Sequence, residues 1–432
     1  MEQSQSATLP PAAGVVCEFN PFHNGHRRLL AAMREAVGED GCVVCVMSGR
    51  FVQRGTPAVA DPYLRAAAAL CGGADLVVEL PFPWSAGSAA DFAAAGVDIL
   101  DRMGVGILAF GSECADASLL SDAARIAAGP DFTADVASRA AAGAGAARAW
   151  ADALRARLDR ARNGCSLPDG FPGSNDRLAV NYLASLRASG SPMRPLIVPR
   201  TGQEYRDDVL TDASAPSATA LRVLLTEAAD DPGTLRAMLD GTMPDGSLDV
   251  LMDAVGRGDA PCREDALLPY LHGLFRLGSA DALSRIAGLS GGLAHRMVRA
   301  AREAGTPGAF MQSLHSRLYT DARLRRGMLY AACGVLPEDL RARPAYTTLL
   351  GAASRGCAYL KALGKAGAGG SAAGGSAAGI PVVTKPADAP ACRQTDLSLL
   401  SDALFSLCLP IPRGAEVLLK RSPVIRTDTE NG

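Results

Sequence analysis

Short apolar segments alternate with amphipathic ones through the first quarter of the chain, and this alternation restricts the possible folds more than any other feature. The apolar segments lie at 14–19, 42–47, 75–80 and 107–110. The stretches between them predict helices over 25–37, 63–72 and 88–103. Short strands separated by helices are typical of a parallel α/β sheet, whose ligands bind at the carboxyl ends of the strands. We therefore predict a Rossmann-like α/β fold and expect functional residues directly after its strands.

The rest of the chain differs in composition from this first part. The α/β domain is predicted to span 14–225, with a helical insertion at about 115–165 and a late strand at 195–199. The pattern is helical over 226–330, which predicts a helical second domain. The flanking segments are a flexible leader at 1–13 and a C-terminal region at 331–432. That region contains a flexible Gly/Ala/Ser linker at 366–379, followed by a short strand at 380–385 in a small terminal unit.

Composition excludes several classes of protein. The 432 residues are 48% apolar and 20% charged, which is a globular balance and excludes a largely disordered chain. No apolar stretch is long enough to span a bilayer, so we expect a soluble, cytoplasmic protein with no membrane partner. The formal net charge is −2, so any binding of nucleic acid requires a local basic patch.

The eleven cysteines are scattered along the chain and no secretory signal precedes them, so we expect reduced thiols. Cys42 and Cys45 have the spacing of a metal or redox pair. They lie in an apolar run that predicts a buried strand, however, and residues three apart on a strand point to opposite faces. We therefore assign them to the core and predict no metal site.

The segment Asn20-Pro-Phe-His-Asn-Gly-His26 follows the first predicted strand and leads into the first helix. Two histidines three residues apart, His23 and His26, are expected beside free backbone N–H groups of the first helical turn, which favour anions. Gly25 has no Cβ, so a nucleotide can approach closely. This arrangement suits the phosphates of ATP, with the imidazoles donating hydrogen bonds as pyrophosphate leaves. The alternative is a capped helix with two surface histidines.

Three further polar segments follow predicted strands or begin a late helix, at 48–55, 111–113 and 217–222. The last offers two hydroxyls and a guanidinium at a helix N-terminus, and its possible phosphate contacts are Ser217, Thr219 and Arg222. A serine at a helix start is more often only a cap. The four segments together favour nucleotide chemistry.

Several of these segments resemble a known family. Gly14-Val-Val-Cys-Glu-Phe-Asn-Pro-Phe-His-Asn-Gly-His26, Val46-Met-Ser-Gly-Arg-Phe-Val-Gln-Arg-Gly55, Asp75-Leu-Val-Val-Glu-Leu-Pro81 and Phe110-Gly-Ser-Glu113 are similar to the bacterial tRNA(Met) cytidine acetate ligases, which are nucleotidyltransferase-like proteins with a His-x-Gly-His motif. The resemblance is dense over 14–113 and thin over 174–222. The similarity is weak after residue 222, with short matches at 317–326 and 380–385.

The resemblance implies an ATP-dependent ligase that forms a carbon–nitrogen bond. ATP and acetate would form acetyl-adenylate, and the acetyl group would pass to the wobble cytidine of elongator tRNA(Met) to give 4-acetylcytidine. No acetyl-CoA is needed. The expected cofactors are ATP as substrate and Mg²⁺, the latter inferred from the ATP chemistry. A flipped-out anticodon base agrees with the way proteins recognise single-stranded RNA.

The resemblance also assigns site residues. It gives catalytic roles to His23 and His26, which would contact phosphate, and it places Gly111 against the nucleoside. The full set of implied ATP contacts is Val16, Cys17, Glu18, Phe19, Asn20, Pro21, Phe22, His23, Asn24, Gly25, His26, Arg27, Arg28, Leu29, Gly111, Asn175 and Arg200. On the residues alone, Asn175 could equally be a loop cap, and Arg200 a solvated loop arginine.

The chain departs from the family pattern at two positions. Pro62 stands where the family usually has a lysine, which removes a basic group beside the expected site. Asp176 stands where the family commonly has a second asparagine, which would add a negative charge near phosphates unless Mg²⁺ or Arg177 offsets it. These departures keep open a catalytically weakened RNA-binding relative as an alternative function. A second alternative is an adenylyl- or cytidylyltransferase that makes a small nucleotide cofactor. Some 200 residues beyond the nucleotide-binding core would then have no assigned function.

Arginines in the second half of the chain are candidates for RNA binding. They recur three apart along one predicted helix and cluster again shortly after it, and the possible tRNA contacts are Arg296, Arg299, Arg323 and Arg326. On one surface they could follow a phosphate backbone. The alternative is a solvated helix face with acidic neighbours.

Overall fold

The structure is a computed structural model that describes residues 9–162, 166–200, 212–316, 318–368, 379–411 and 413–427. Most of the predicted leader, Arg317 and most of the predicted linker lie outside the described residues. Two boundaries are corrected. The first strand begins at Ala12, inside the predicted leader, and a helix continues to Ala368, inside the predicted linker.

A single sheet forms the centre of the fold, and eight of its strands lie in the described residues. They are β1 (Ala12–Cys17), β2 (Cys42–Ser48), β3 (Leu76–Leu80), β4 (Ile107–Ser112), β5 (Arg194–Pro199), β6 (Thr347–Ala352), β7 (Val382–Val383) and β8 (Val424–Ile425). The order is β5-β4-β1-β2-β3-β6-β7, with β8 also beside β6. Strands β1 to β5 are parallel to one another, while β6 is antiparallel to its neighbour β3. The predicted Rossmann-like parallel sheet is confirmed.

Helices cover both faces of the sheet and build the rest of the molecule. Those of the first half are α1 (Asn24–Val37), α2 (Pro62–Cys71), α3 (Ala89–Arg102), α4 (Ala117–Ala127), α5 (Pro130–Ala141), α6 (Ala146–Ala161), α7 (Ser174–Ser189), α8 (Ala218–Glu227), α9 (Pro232–Leu239) and α10 (Asp245–Gly256). Those of the second half are α11 (Leu268–Leu277), α12 (Ala280–Leu283), α13 (Leu293–Glu303), α14 (Pro307–Leu314), α15 (Asp321–Cys333), α16 (Pro337–Arg341), α17 (Ser354–Ala368), α18 (Arg393–Ser406) and α19 (Glu416–Leu419).

The central strands are buried on both faces, which explains their continuous apolar sequences. Cys42 packs into the core beneath α3, and Cys45 packs into the core beneath α1 and α2. The two thiols therefore point to opposite faces, as their spacing predicted. Within the described ranges, no group of three or more His, Cys, Asp or Glu side chains is placed to hold a metal ion.

The C-terminal region completes the sheet. Strand β6 pairs with β3, and both β7 and β8 pair with β6. The strand predicted at 380–385 therefore belongs to the main sheet, which corrects the expectation of a small terminal unit. A separate apolar core joins α11, α13, α14, α15 and α18 to the loop after β2 through Phe51. No helix in the described part of the chain has the length and apolar character needed to cross a membrane.

Candidate active site

The site begins where β1 ends and the chain turns into α1. Phe19 has a φ of +44°, a left-handed conformation that costs a non-glycine residue about 1–2 kcal/mol. His23 is the N-cap of α1, and its Nδ1 accepts a hydrogen bond from Gly25 N at 3.0 Å. The His26 side chain reaches back, so that its Nδ1 accepts from His23 N at 3.3 Å. The two imidazoles thus form a reciprocal capping box, with ring centroids 3.7 Å apart.

This capping box fixes the tautomer of both histidines. A ring nitrogen that accepts a hydrogen bond carries no proton, so each neutral imidazole is protonated on Nε2. Burial lowers the pKa of His23 well below its ordinary value, and the neighbouring His26 and Arg200 lower it further. Burial also lowers the pKa of His26 to about 3, with Arg200 as the second cause. Both side chains are therefore neutral at pH 7 and present an N–H donor at Nε2.

The backbone amides at the start of α1 are already used, which corrects the expectation of free N–H groups. Asn24 N donates to Thr242 O at 3.0 Å, and its side chain donates to Gly241 O at 2.7 Å. Gly25 N is bound by the His23 ring, as described above. His26 N donates to His23 O at 2.9 Å. The donors available to an anion are therefore the imidazoles rather than the amides of the first turn.

Three arginines surround the imidazoles, and their positive charges lower the pKa of His23. They are Arg200, Arg28 and Arg222. Arg222 Nη1 donates to Asn20 O at 2.8 Å, and its Nη2 donates to Thr219 Oγ1 at 3.0 Å, which joins α8 to the turn before α1. A cluster of cations around neutral donors is suited to a polyphosphate.

Arg200, directly after β5, lies beside Asn175 in the first turn of α7. Arg200 Nη1 donates to Asn175 Oδ1 at 3.2 Å. The Asn175 backbone N and side-chain Nδ2 both donate to Glu113 Oε1, at 3.0 and 2.7 Å. Glu113 therefore fixes Asn175, which in turn orients Arg200 beside the histidines. The structure shows contacts for both residues that neither the loop-cap nor the solvated-arginine interpretation includes.

Asp176 is a buried structural residue, which corrects the expectation of an added charge beside phosphates. Its Oδ1 accepts from Ser112 Oγ at 2.6 Å, Glu113 N at 2.9 Å and Cys114 N at 3.1 Å. Its Oδ2 accepts from Gly173 N at 3.1 Å. The side chain is 1% exposed and ties the end of β4 to the start of α7.

We expect Asp176→Ala to lower the free energy of unfolding by about 3 kcal/mol, because it leaves several buried donors without an acceptor. Asp176→Asn retains an acceptor oxygen and should lose less. Urea denaturation at pH 7 measures both changes. Asp152→Ala, at an exposed ion pair with Arg148, is the matched control and should change stability by less than about 0.5 kcal/mol. A similar loss in Asp152→Ala and Asp176→Ala would contradict this interpretation.

Pro62 and Arg65 support the site from α2. Pro62 occupies the first turn of α2 behind the cap residue Asp61, a position that proline favours. The Arg65 guanidinium donates to the carbonyl oxygens of Glu18 at 2.6 Å, Ser48 at 2.8 Å and Ala60 at 3.0 Å, and also to that of Gly49. It therefore joins the ends of β1 and β2. In the sequence, this segment stood out only because Pro62 departs from the family pattern. The residues near Arg65 in the sequence do not indicate its long-range contacts.

The other predicted ATP contacts fall into two groups. Those whose side chains are buried in the protein core, and so can offer only backbone atoms or packing, are Val16, Cys17, Phe19, Pro21 and Phe22, with Leu29 partly buried. Those near the surface or at the edge of the sheet are Glu18, Asn24, Gly25, Arg27, Arg28 and Gly111. A Cβ built on Gly111 would meet only Val198 O, at 3.9 Å, so the space above this glycine is open. Ser217 is a buried N-cap whose Oγ accepts from Ala220 N at 3.0 Å, and its contact with phosphate stays a prediction.

The structure brings together some of the arginines predicted to contact RNA. The guanidinium carbons of Arg296 and Arg323 lie 5.7 and 5.0 Å from the centroid of the Tyr319 ring. Arg299 is exposed on α13. Arg326 instead donates to Gln53 O at 3.1 Å, and burial lowers its pKa. Arg326 thus holds the loop after β2 against α15, and its contact with tRNA stays a prediction.

Comparisons with known proteins agree with this geometry. A family model described as HIGH Nucleotidyl Transferase matches residues 11–408. The tRNA(Met) cytidine acetate ligase of Syntrophotalea carbinolica is 35% identical over 367 residues, covering 82% of each chain. The one from Acetivibrio thermocellus is 30% identical over 413 residues, covering 92% of this chain and 95% of that protein.

Solved structures give the same result. The apo crystal structure of Thermotoga maritima TmcAL has a TM-score of 0.83 at 29% identity, and the structure of that protein bound with alpha-thio ATP has a TM-score of 0.81 at 29% identity. Each match covers 96% of this chain and all of the other. A parallel sheet with a His-x-Gly-His capping box after its first strand thus defines a nucleotidyltransferase of the HIGH type. Within that class, the chain belongs to the tRNA(Met) cytidine acetate ligase family.

Proposed function

We propose that this protein acetylates the wobble cytidine of elongator tRNA(Met), using ATP and acetate by way of acetyl-adenylate. The observation that carries the proposal is the pair of neutral imidazoles, the buried His23 and the partly buried His26, which lie among Arg28, Arg200 and Arg222. Such a site stabilises the negative charge that grows on pyrophosphate as it leaves. A cytoplasmic location follows from the proposed tRNA substrate.

In the first step an acetate oxygen attacks the α-phosphorus of ATP. The bond between the α-phosphorus and the bridging oxygen breaks, and pyrophosphate leaves with the electron pair. The protein contributes mainly alignment and charge neutralisation, because acetate is already a nucleophile and needs no base. Neutral imidazoles suit this step, since they donate hydrogen bonds without themselves losing a proton.

In the second step the exocyclic amine of cytidine attacks the carbonyl carbon of acetyl-adenylate. The new C–N bond replaces the C–O bond to the phosphate, AMP leaves, and the amine loses a proton to solvent or to the departing phosphate. No acetyl-CoA takes part. Mg²⁺ would be held mainly by the phosphates themselves.

We assign part of the tRNA surface to Arg296 and Arg323 around Tyr319, with Arg299 on the same helix as Arg296. Arg323 lies one helical turn before Arg326, which contacts the loop after β2. The surface therefore adjoins a loop that borders the site. Arginine and tyrosine side chains together can contact phosphate and stack on bases.

The two departures from the family pattern have structural roles, since Pro62 begins α2 and Asp176 is a buried cap. They therefore give no support to a weakened RNA-binding relative. The proposal is tested by incubating the protein with ATP, Mg²⁺, labelled acetate and elongator tRNA(Met). Label should enter the tRNA only when ATP is present, and it should vanish when the wobble cytidine is replaced by uridine. Acetate-dependent release of pyrophosphate without labelling of this tRNA would show that the acceptor is a different molecule.

A further inference from the structure

A second polar cleft opens at the same edge of the sheet as the histidines. It lies where β2 and β3 end and β6 begins, two strands from β1, or about 10 Å away at the usual strand spacing. The cleft is open to solvent, and its volume together with the solvent space at its mouth is about 530 Å³. The groups that line it include Arg50, Tyr63, Glu79, Tyr346, Thr348 and Asp402. The proposed acetylation chemistry does not use these residues.

Carboxyl groups in and beside the cleft engage its arginine. Arg50 Nε donates to Asp402 Oδ1 at 2.9 Å, and Arg50 Nη1 donates to Asp61 Oδ2 at 2.5 Å, so the guanidinium is engaged by two carboxylates. Glu79 is a third carboxyl group at the end of β3, and the Thr348 hydroxyl hydrogen-bonds to it. A ligand with hydrogen-bond donors therefore suits the carboxyl groups of this cleft.

Glu79 can be neutral near physiological pH. Burial raises the pKa of Glu79 to about 7, and the charge of Asp402 is the second cause. Arg50 and Arg65 act in the opposite direction, and the phenols of Tyr63 and Tyr346 also lie close to it. A protonated carboxyl offers one O–H donor beside one acceptor oxygen. That pair matches the edge of a base that has a ring nitrogen beside an amino group.

We propose that this cleft binds an amine-bearing nucleobase of RNA, cytosine or adenine, by hydrogen bonds from Glu79 to its ring nitrogen and amino group. The second amino hydrogen faces Asp402, and Tyr63 and Tyr346 supply aromatic surface for the ring. Uracil has a carbonyl oxygen where these bases have the amine, so Asp402 repels it. The inference rests on the proposed function, because it gives the RNA substrate a base-binding pocket beside the ATP site.

The test is calorimetric titration of the full chain with cytidine, adenosine and uridine, after alpha-thio ATP has been added to fill the ATP site. Cytidine and adenosine should bind at least about tenfold more tightly than uridine. Because the bound form needs one proton on Glu79, the Kd for cytidine should be constant below pH 7 and rise about tenfold per pH unit above it. Equal affinity for uridine would overturn the proposal.

Three variants distinguish the loss of ligand contacts in the cleft from the loss of the fold. Glu79→Gln keeps a donor and an acceptor without a titrating proton, so it should bind cytidine with no pH dependence. Glu79→Leu removes both and should abolish binding. Ala389→Trp fills the rim of the cleft without changing its charge, and it should also abolish binding. Unchanged binding in Glu79→Leu and Ala389→Trp, with thermal unfolding intact, would overturn the proposal.

The source of the base is tested by competition with an anticodon stem-loop of elongator tRNA(Met). Displacement of cytidine by this RNA supports an RNA base as the ligand, while failure to displace it overturns that source. The proposed function is tested separately by acetate-dependent ATP–pyrophosphate exchange, which is measured without any nucleoside. Absence of this exchange would contradict the proposed function. The two failures are therefore distinguishable.

Discussion

His23→Asn should lower the rate of acetate-dependent ATP–pyrophosphate exchange by about 100- to 1000-fold while the protein stays folded. Asparagine is a strong N-cap residue, so its side-chain oxygen can still accept from Gly25 N. Glutamine at position 26 likewise completes a capping box, so His26→Gln keeps the helix start and removes the other imidazole. The expected loss is that of one donor to a developing oxyanion.

Thermal unfolding and the exchange rate together measure this effect. Both variants should unfold within about 2 °C of the wild type, because the caps are retained. His315→Gln, which removes an exposed histidine after α14, is the matched control and should leave the exchange unchanged. Exchange within a factor of ten of the wild type in folded His23→Asn and His26→Gln would show that the imidazoles are not the donors.

Arg65→Met should lower the free energy of unfolding by about 3–5 kcal/mol. Methionine preserves most of the apolar contact but removes every donor to the carbonyl groups of Glu18, Ser48, Gly49 and Ala60. Buried carbonyls that lose a charged donor bear their full desolvation cost. Because those carbonyls end β1 and β2, the loops around the histidines should also lose order.

Urea denaturation gives the change in stability, and amide hydrogen exchange locates it. Arg65→Lys keeps a charge but cannot reach four carbonyl groups with one ammonium, so it should recover less than half of the loss. Arg148→Met replaces an exposed arginine and should change stability by less than about 0.5 kcal/mol. A loss of under 1 kcal/mol in Arg65→Met would contradict the role of this side chain.

Local sequence predicted the strands and helices that carry the site. The buried strands have continuous apolar runs, and the motif from Asn20 to His26 lies at a strand end, where parallel sheets bind ligands. The spacing of His23 and His26 was sufficient to place both at the start of α1. It did not show that each ring caps the same helix, which determines the tautomers.

Features that depend on distant contacts could not be predicted in this way. Strand β6 begins more than 260 residues after β3, so nothing near Thr347 in the sequence indicates its partner. Thr242 O accepts from the Asn24 amide although the two residues are 218 positions apart, which is why the first turn of α1 appeared free. The charge of Asp176 suggested a cost beside phosphate, and only the positions of its four donors show that the carboxylate is a buried cap.

The fate of the acetate oxygen that attacks the α-phosphorus of ATP tests the proposed mechanism most directly. The protein is incubated with ATP, Mg²⁺, elongator tRNA(Met) and acetate labelled with ¹⁸O at both oxygens, and the released AMP is analysed by mass spectrometry. Formation of acetyl-adenylate followed by acyl transfer leaves one acetate oxygen on the phosphate, so each AMP should carry one ¹⁸O. AMP without label, or label found in pyrophosphate, would contradict the mechanism.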